Sequence, residues 1–182
     1  MIVENYLDTF KEVNHMAPKG GIVFLGSDYF ASLPVNELAT VFNVNETIFN
    51  RSICGATAKS ISALLGECIY SLDPCKIFLN FGEIEEKTNI SLLEFISTYE
   101  WLLYTLHSNT SAEIYVTSVM SDSGFAIEMN KALAKLCSEV GCRYIDITSA
   151  LKSAKPNLNV FNMLKYHVHT STLSFADIMS IK

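Results

Sequence analysis

The sequence is short of charge. Asp, Glu, Lys and Arg make up only 18% of its 182 residues, apolar types make up 49%, and mean hydropathy is +0.26. Disordered chains have the opposite balance, so this one is expected to fold. Basic residues are the scarcer sign, 13 against 19 acids, for a net charge of −6. That leaves no basic stripe for a phosphate backbone and excludes nucleic acid as a partner. Apolar runs fall well below the roughly 20 residues of a bilayer-spanning helix, so no membrane span is expected. Met1 to Phe10 has no Lys/Arg-led apolar run, which argues against a secretory signal and for a cytoplasmic location. Five cysteines, an odd number sited mainly in apolar segments, do not make a disulfide framework. Cys137 and Cys142 lack a second ligand pair, and His167 and His169 lack a third ligand, so no metal is expected. Neither G-x-G-x-x-G nor G-x-x-x-x-G-K-[ST] occurs, so no nucleotide or other cofactor is expected. With no repeat, low-complexity tract or linker, residues 1–182 are expected to form one domain, large enough to bury a core unaided.

What is present alternates. Val3, Tyr6, Leu7, Phe10 and Val13 recur at helical spacing, predicting an opening helix that ends before Pro18 and lies outside a sheet. Ile22 to Leu25, bounded by glycines, is a continuous apolar run of the kind that forms a strand buried on both faces. Similar runs at Thr47–Asn50, Lys76–Phe81, Glu113–Ser118 and Cys142–Ile147 give five strands. Helical periods follow each. One starts near Pro34, one after Thr57 as its cap (Ile61, Leu64, Leu65, Cys68, Ile69), one near Ser91 and one near Phe125. Strands alternating with helices predict an α/β fold, a parallel sheet with helices on both faces. In such sheets ligands sit beyond the carboxyl ends of the strands, which here lead into Gly26, Arg51 to Gly55, Gly82 and Ser118 to Met120. Glu83, Glu85 and Glu86 read as a solvated acidic loop leading into a helix.

Five blocks in order carry a resemblance. Phe24-Leu25-Gly26-Ser27-Asp28 is similar to F-L-G-D-S, and Asn50 to Thr57 to N-R-G-I-x-G-x-T. Gly82-Glu83-Ile84-Glu85 stands where G-x-N-D would be. Tyr144-Ile145-Asp146 is similar to Y-I-D. Tyr166-His167-Val168-His169, followed by Ser174-Phe175, resembles D-G-L-H followed by G-Y. The chain thus resembles the SGNH or GDSL-type ester hydrolases, in particular the platelet-activating-factor acetylhydrolases and lysophospholipase-like esterases, over nearly its whole length. The resemblance implies a three-layer αβα sandwich with five parallel strands in flavodoxin-like order. It also implies a serine nucleophile, a histidine base oriented by an aspartate three residues earlier, and an oxyanion hole of a glycine N–H and an asparagine.

By that resemblance Gly55 and His169 match, whereas Asp28 replaces the nucleophile, Ile84 the oxyanion asparagine and Tyr166 the aspartate. The implied catalytic positions are Ser27 or Asp28, Gly55 and His169, with Arg51, Gly82 and Tyr166 as substrate-binding candidates. Arg51 reads equally as a clamp on loop carbonyls, and Tyr29, Phe30 and Tyr166 as side chains able to narrow the pocket. Loss of a serine hydrolase's nucleophile costs on the order of 10⁶-fold in rate, against about 10²- to 10³-fold for one oxyanion donor. The expected function is therefore a hydrolase of small acetyl or acyl esters of sugars or lipids with weakened or lost activity. The alternative is a non-catalytic protein using the same cleft to bind a carbohydrate, an acyl compound or a protein partner. The apolar fraction also leaves room for a subunit interface.

Overall fold

The computed structural model describes residues 2–169. Helix α1 (Ile2–Asn14) leads to strand β1 (Ile22–Gly26), short helices α2 (Asp28–Ser32) and α3 (Val35–Val41), and β2 (Ile48–Asn50). A broken helical segment carries α4 (Ala58–Ile61) and α5 (Leu65–Cys68), each followed by a 3₁₀ turn. Then come β3 (Lys76–Asn80), α6 (Glu83–Lys87), α7 (Leu92–Asn109), β4 (Glu113–Thr117), α8 (Gly124–Val140), β5 (Arg143–Ile145), a 3₁₀ turn (Thr148–Lys152) and α9 (Pro156–Val168).

All pairings are parallel and the order is β2-β1-β3-β4-β5, the flavodoxin-like order of a three-layer αβα sandwich. Every residue of β1 and of β3 is buried, including Lys76 and Asn80 at the two ends of the apolar run in β3. Successive side chains go to opposite faces. Val23, Leu25, Ile77, Leu79, Ile114 and Val116 pack with α4, α7 and α8 on one face. Ile22, Phe24, Phe78 and Tyr115 pack with α3 and α9 on the other. There Phe24, Phe78 and Tyr115, in register on adjacent strands, stack at centroid separations of 4.8 and 4.7 Å.

The predicted helix starts hold at Thr57 and Ser91, and the helix expected near Phe125 begins at Ser123; their hydroxyls accept from the N–H of Ser60, Glu94 and Ala126. The period after Thr57 is one sequence signal but two helical pieces joined by 3₁₀ geometry, with Gly66 inside the second. A larger departure comes at the C-terminal end, where residues 166–168, which the resemblance places beside the catalytic positions, form the last turn of α9. In a sheet of parallel strands a helix packed back after a strand runs toward the strands' amino ends. Lys76, the first residue of β3, duly donates from Nζ to the carbonyls of His167 and His169 at 2.8 and 2.6 Å. A cation there suits the negative end of the helix dipole.

No helix among the described residues is long and apolar enough to cross a membrane. Ser174 and Phe175 of the last sequence block lie outside the described residues.

Candidate active site

The carboxyl ends of β1, β2 and β3 meet in one tightly bonded rim. Gly26 pairs with Asn80 in the sheet, and the N–H of Ser27 donates to the Asn80 carbonyl at 3.0 Å. The N–H of Ile53 donates to the Gly26 carbonyl at 3.0 Å and that of Arg51 to the Phe24 carbonyl at 2.8 Å, drawing the segment after β2 over the end of β1. A Cβ on Gly26 would stand 2.5 Å from the Asn80 carbonyl oxygen, so this crossing needs glycine.

Carboxylates tie the loops. Asp28 opens α2 and its Oδ1 accepts from the Gly55 N–H at 2.7 Å, while Oδ2 lies 3.4 Å from Lys87 Nζ. The lysine contact is solvent-exposed and contributes little. The Gly55 contact is the consequential one, because the donor that the resemblance assigns to an oxyanion already serves a resident anion. Glu83 Oε2 accepts from the Tyr29 N–H at 3.1 Å. Glu85 is buried, with Oε1 accepting from the Ala58 N–H at 2.8 Å and Oε2 from the Gly82 N–H at 3.1 Å. The acidic run is thus a set of loop staples rather than a solvated loop. Burial is the main force raising the pKa of both Glu83 and Glu85, with backbone donors pulling the other way.

A carboxyl whose folded pKa is raised contributes its stability below the ordinary carboxyl range, and loses it as pH climbs through the raised value. Glu83→Gln keeps an acceptor for Tyr29 and removes this penalty. The variant is expected to show a urea midpoint at pH 7 equal to or above that of the parent, and a smaller gain when pH is lowered toward 5. A large loss at pH 7 would show that the carboxylate charge itself is needed.

The predicted site residues divide sharply. Gly55, Gly82, Ser27 and Asp28 come together at the rim. Ser27 is fully buried and its Oγ has no hydrogen-bond partner among the described residues. Gly82 has φ +131° and gives its N–H to Glu85. His169 does not join them. Its ring Nδ1 lies 3.3 Å from Glu46 Oε1, just ahead of β2, and its carbonyl bonds to Lys76. Four strand steps of about 3.3 Å separate Lys76 from Asn80, so His169 lies roughly 13 Å from the rim at the wrong end of the sheet. Tyr166, 72% exposed on α9 with its ring 5.0 Å from Lys165 Nζ, is likewise outside the site.

Arg51 resolves as a clamp rather than a substrate contact. Its guanidinium lies between Phe10 and Phe49, 4.8 and 5.2 Å from the ring centres, and donates to Asn14 Oδ1 at 2.7 Å. Phe30 is fully buried and only Tyr29 reaches the cleft.

The chain has four histidines, and none is at the rim. His15 follows α1, beside an Asn14 bonded to Ser71 Oγ ahead of β3. His107 contacts Cys142 Sγ at the start of β5. His167 lies against Tyr115 on the α9 face, 5.4 Å between ring centres. From the C-terminal part of the chain the rim receives the start of α9 instead, where Asn157 Oδ1 lies 3.5 Å from the Tyr29 hydroxyl and Pro156 lines the cleft. A Pro at the first helical position was the available signal for that placement.

The resulting cleft holds about 340 Å³ between Asp28, Tyr29, Glu83, Leu151 and Pro156, and opens past Met120 into a depression of about 500 Å³ beside Glu86 and Lys87. It offers hydrogen-bond acceptors and one aromatic face. Among the described residues it has no hydroxyl paired with an imidazole, and the Ser121 hydroxyl donates to Glu86 Oε1 at 2.9 Å.

No family profile matches the sequence, and no curated protein matches it. Solved structures do match. A Streptococcus pneumoniae protein provisionally described as a platelet activating factor superposes with TM-score 0.79 at 18% identity, over 91% of this chain and 92% of its own. An acetylxylan esterase from Geobacillus stearothermophilus gives 0.66 at 10% identity, covering 85% and 96%. A Desulfitobacterium hafniense protein, provisionally described as lipolytic and of the G-D-S-L family, gives 0.67 at 12%, covering 82% and 98%. The chain has the SGNH/GDSL hydrolase fold.

Proposed function

We propose that this chain is a binding protein built on the ester-hydrolase fold, retaining the cleft but not the hydrolysis. The observation that carries the reading is the 2.7 Å bond from the Gly55 N–H to Asp28 Oδ1. An oxyanion hole works by meeting negative charge that develops in the transition state. A carboxylate already seated there repels that charge, and no imidazole is placed to activate a hydroxyl.

The lining favours a carbohydrate over an acyl chain. Asp28, Glu83 and Glu86 supply acceptors for ring hydroxyls, and Tyr29 supplies a face for the ring's C–H side, whereas an acyl chain calls for a wholly apolar wall. The esterase activity of one structural neighbour on acetylated xylan agrees with a sugar-sized ligand.

Two measurements test the reading. Hydrolysis of p-nitrophenyl acetate is expected at the buffer rate for the parent chain and also for Asp28→Ser, which supplies a hydroxyl but no base. Titration with xylo-oligosaccharides followed by NMR is expected to shift Gly55, Tyr29 and Glu83 amides. Turnover that disappears in Ser27→Ala would overturn the loss of hydrolysis, and unmoved amides would overturn the sugar ligand.

A further inference from the structure

A second and larger cavity lies away from the catalytic remnant, on the far side of Leu151 from Tyr29. It holds about 740 Å³ between the first three turns of α8, the end of β5 and the 3₁₀ turn Thr148–Lys152. That is within the range of small-molecule sites, roughly 300–1,000 Å³. Ile127, Ala134, Tyr144 and Leu151 give it an apolar lining, and Ile127 and Leu151 leave 47% and 38% of their surface exposed. Side chains of that size left open to water around a concavity mark a surface used for contact.

Charge around this lining is arranged unevenly. Lys131 enters from α8 and Lys152 from the 3₁₀ turn. Among the described residues neither ammonium has a carboxylate within ion-pair distance, whereas Lys59, Lys87 and Lys135 pair with Glu94, Asp28 and Glu139. Two acids, Asp122 and Asp146, share the lining, and Asp146 is bonded within the chain. Asp146 Oδ1 accepts from both the N–H and the hydroxyl of Thr148, at 2.9 and 2.7 Å. Asp122 stands at the mouth shared with the acidic depression beside Glu86. Two unpaired cations of separate elements beside an apolar floor are suited to a ligand with an apolar body and one anionic group.

We infer that the cavity between α8 and the Thr148–Lys152 turn is a binding site for a small organic anion with an aromatic or aliphatic body. It adjoins the sugar-sized cleft at Leu151 but does not depend on the reading of that cleft. The lysines fix the anionic group and Ile127, Tyr144 and Leu151 cover the body.

The test uses two dyes that share a body, 1-anilinonaphthalene-8-sulfonate and the uncharged N-phenyl-1-naphthylamine, titrated against the folded full chain by fluorescence. Saturable binding of both is expected at one site. Lys131→Gln and Lys152→Gln are each expected to weaken the sulfonate dye by about three- to five-fold and to leave the neutral dye within two-fold, as loss of a partly exposed ion contact would do. Raised salt is expected to weaken the sulfonate dye alone. Leu151→Asp is expected to weaken both dyes by about ten-fold or more, since it places a charge on the apolar floor. Trp101→Ala, which alters a different exposed groove on α7, is expected to change neither. Absence of saturable binding, indifference to both lysine substitutions, or loss of binding in Trp101→Ala would each overturn the site.

Discussion

Replacing Glu85 with alanine is expected to destabilise the chain by about 3 kcal/mol, the largest effect of any side chain near the cleft. The carboxylate accepts from two buried backbone N–H groups on different loops, Ala58 at the start of α4 and Gly82 ahead of α6. Alanine leaves both donors without an acceptor, at about 1–3 kcal/mol each, offset in part by no longer burying an anion. For a chain of this length that corresponds to a fall in Tm of roughly 6–12 °C. Glu85→Gln keeps one acceptor but turns an amide N–H₂ toward the other donor, so it is expected to fall between alanine and parent. Thermal unfolding by circular dichroism measures both. A Tm within a degree of the parent in Glu85→Ala would show that the two loops do not depend on this staple.

The second large effect is at Gly82. Its φ of +131° lies in a region that side chains rarely adopt, and a Cβ there would meet Val119 Cγ2 at 2.4 Å and Met129 Cε at 3.1 Å. Backbone strain of about 1–3 kcal/mol and overpacking of similar size add to an expected loss of about 3 kcal/mol in Gly82→Ala. The two causes can be separated. Val119→Ala opens space without changing φ, so the Gly82→Ala/Val119→Ala pair should be less destabilised than the sum of the single changes, yet still below Val119→Ala alone. Strict additivity in urea unfolding would remove the clash from the explanation.

Both sites belong to the block that the resemblance treats as half of an oxyanion hole. Here Gly82 and Glu85 use their groups on each other and on Ala58, and Ile84 supplies no polar atom where an asparagine would. The segment's polar groups hold the loops together. The same holds at Asp28, whose carboxylate is bonded to the Gly55 N–H.

The sheet was legible because strands buried on both faces leave continuous apolar runs, and four-residue segments such as Ile22-Val23-Phe24-Leu25 between glycines have few other readings. The rim glycines were legible for a related reason, since crossing loops at strand ends need close backbone approach. The position of His169 is not legible from its tetrapeptide, because the residues before it carry a helical period. Val160, Phe161, Leu164 and Val168, all buried, with Pro156 at the start, describe one helix running through residue 168. A helix following the last strand carries its end away from the carboxyl edge, so the histidine beyond it could not reach Ser27. Glu85 was missed because three acids in four residues look like a charge run. Its signal was local: a glutamate three residues after Gly82 can reach back to the N–H ahead of a helix. Nothing in the sequence marks Asp28 as bonded to Gly55, since the two are 27 residues apart and only the crossing of β1 and β2 ends joins them.

The central claim is that the cleft holds no activated serine. Incubation with a fluorophosphonate, followed by peptide mass spectrometry, tests it at the residue concerned. No phosphonylated Ser27 is expected at any pH between 6 and 9, because its hydroxyl is buried and no imidazole accompanies it. A stoichiometric adduct on Ser27, lost on prior denaturation, would contradict it.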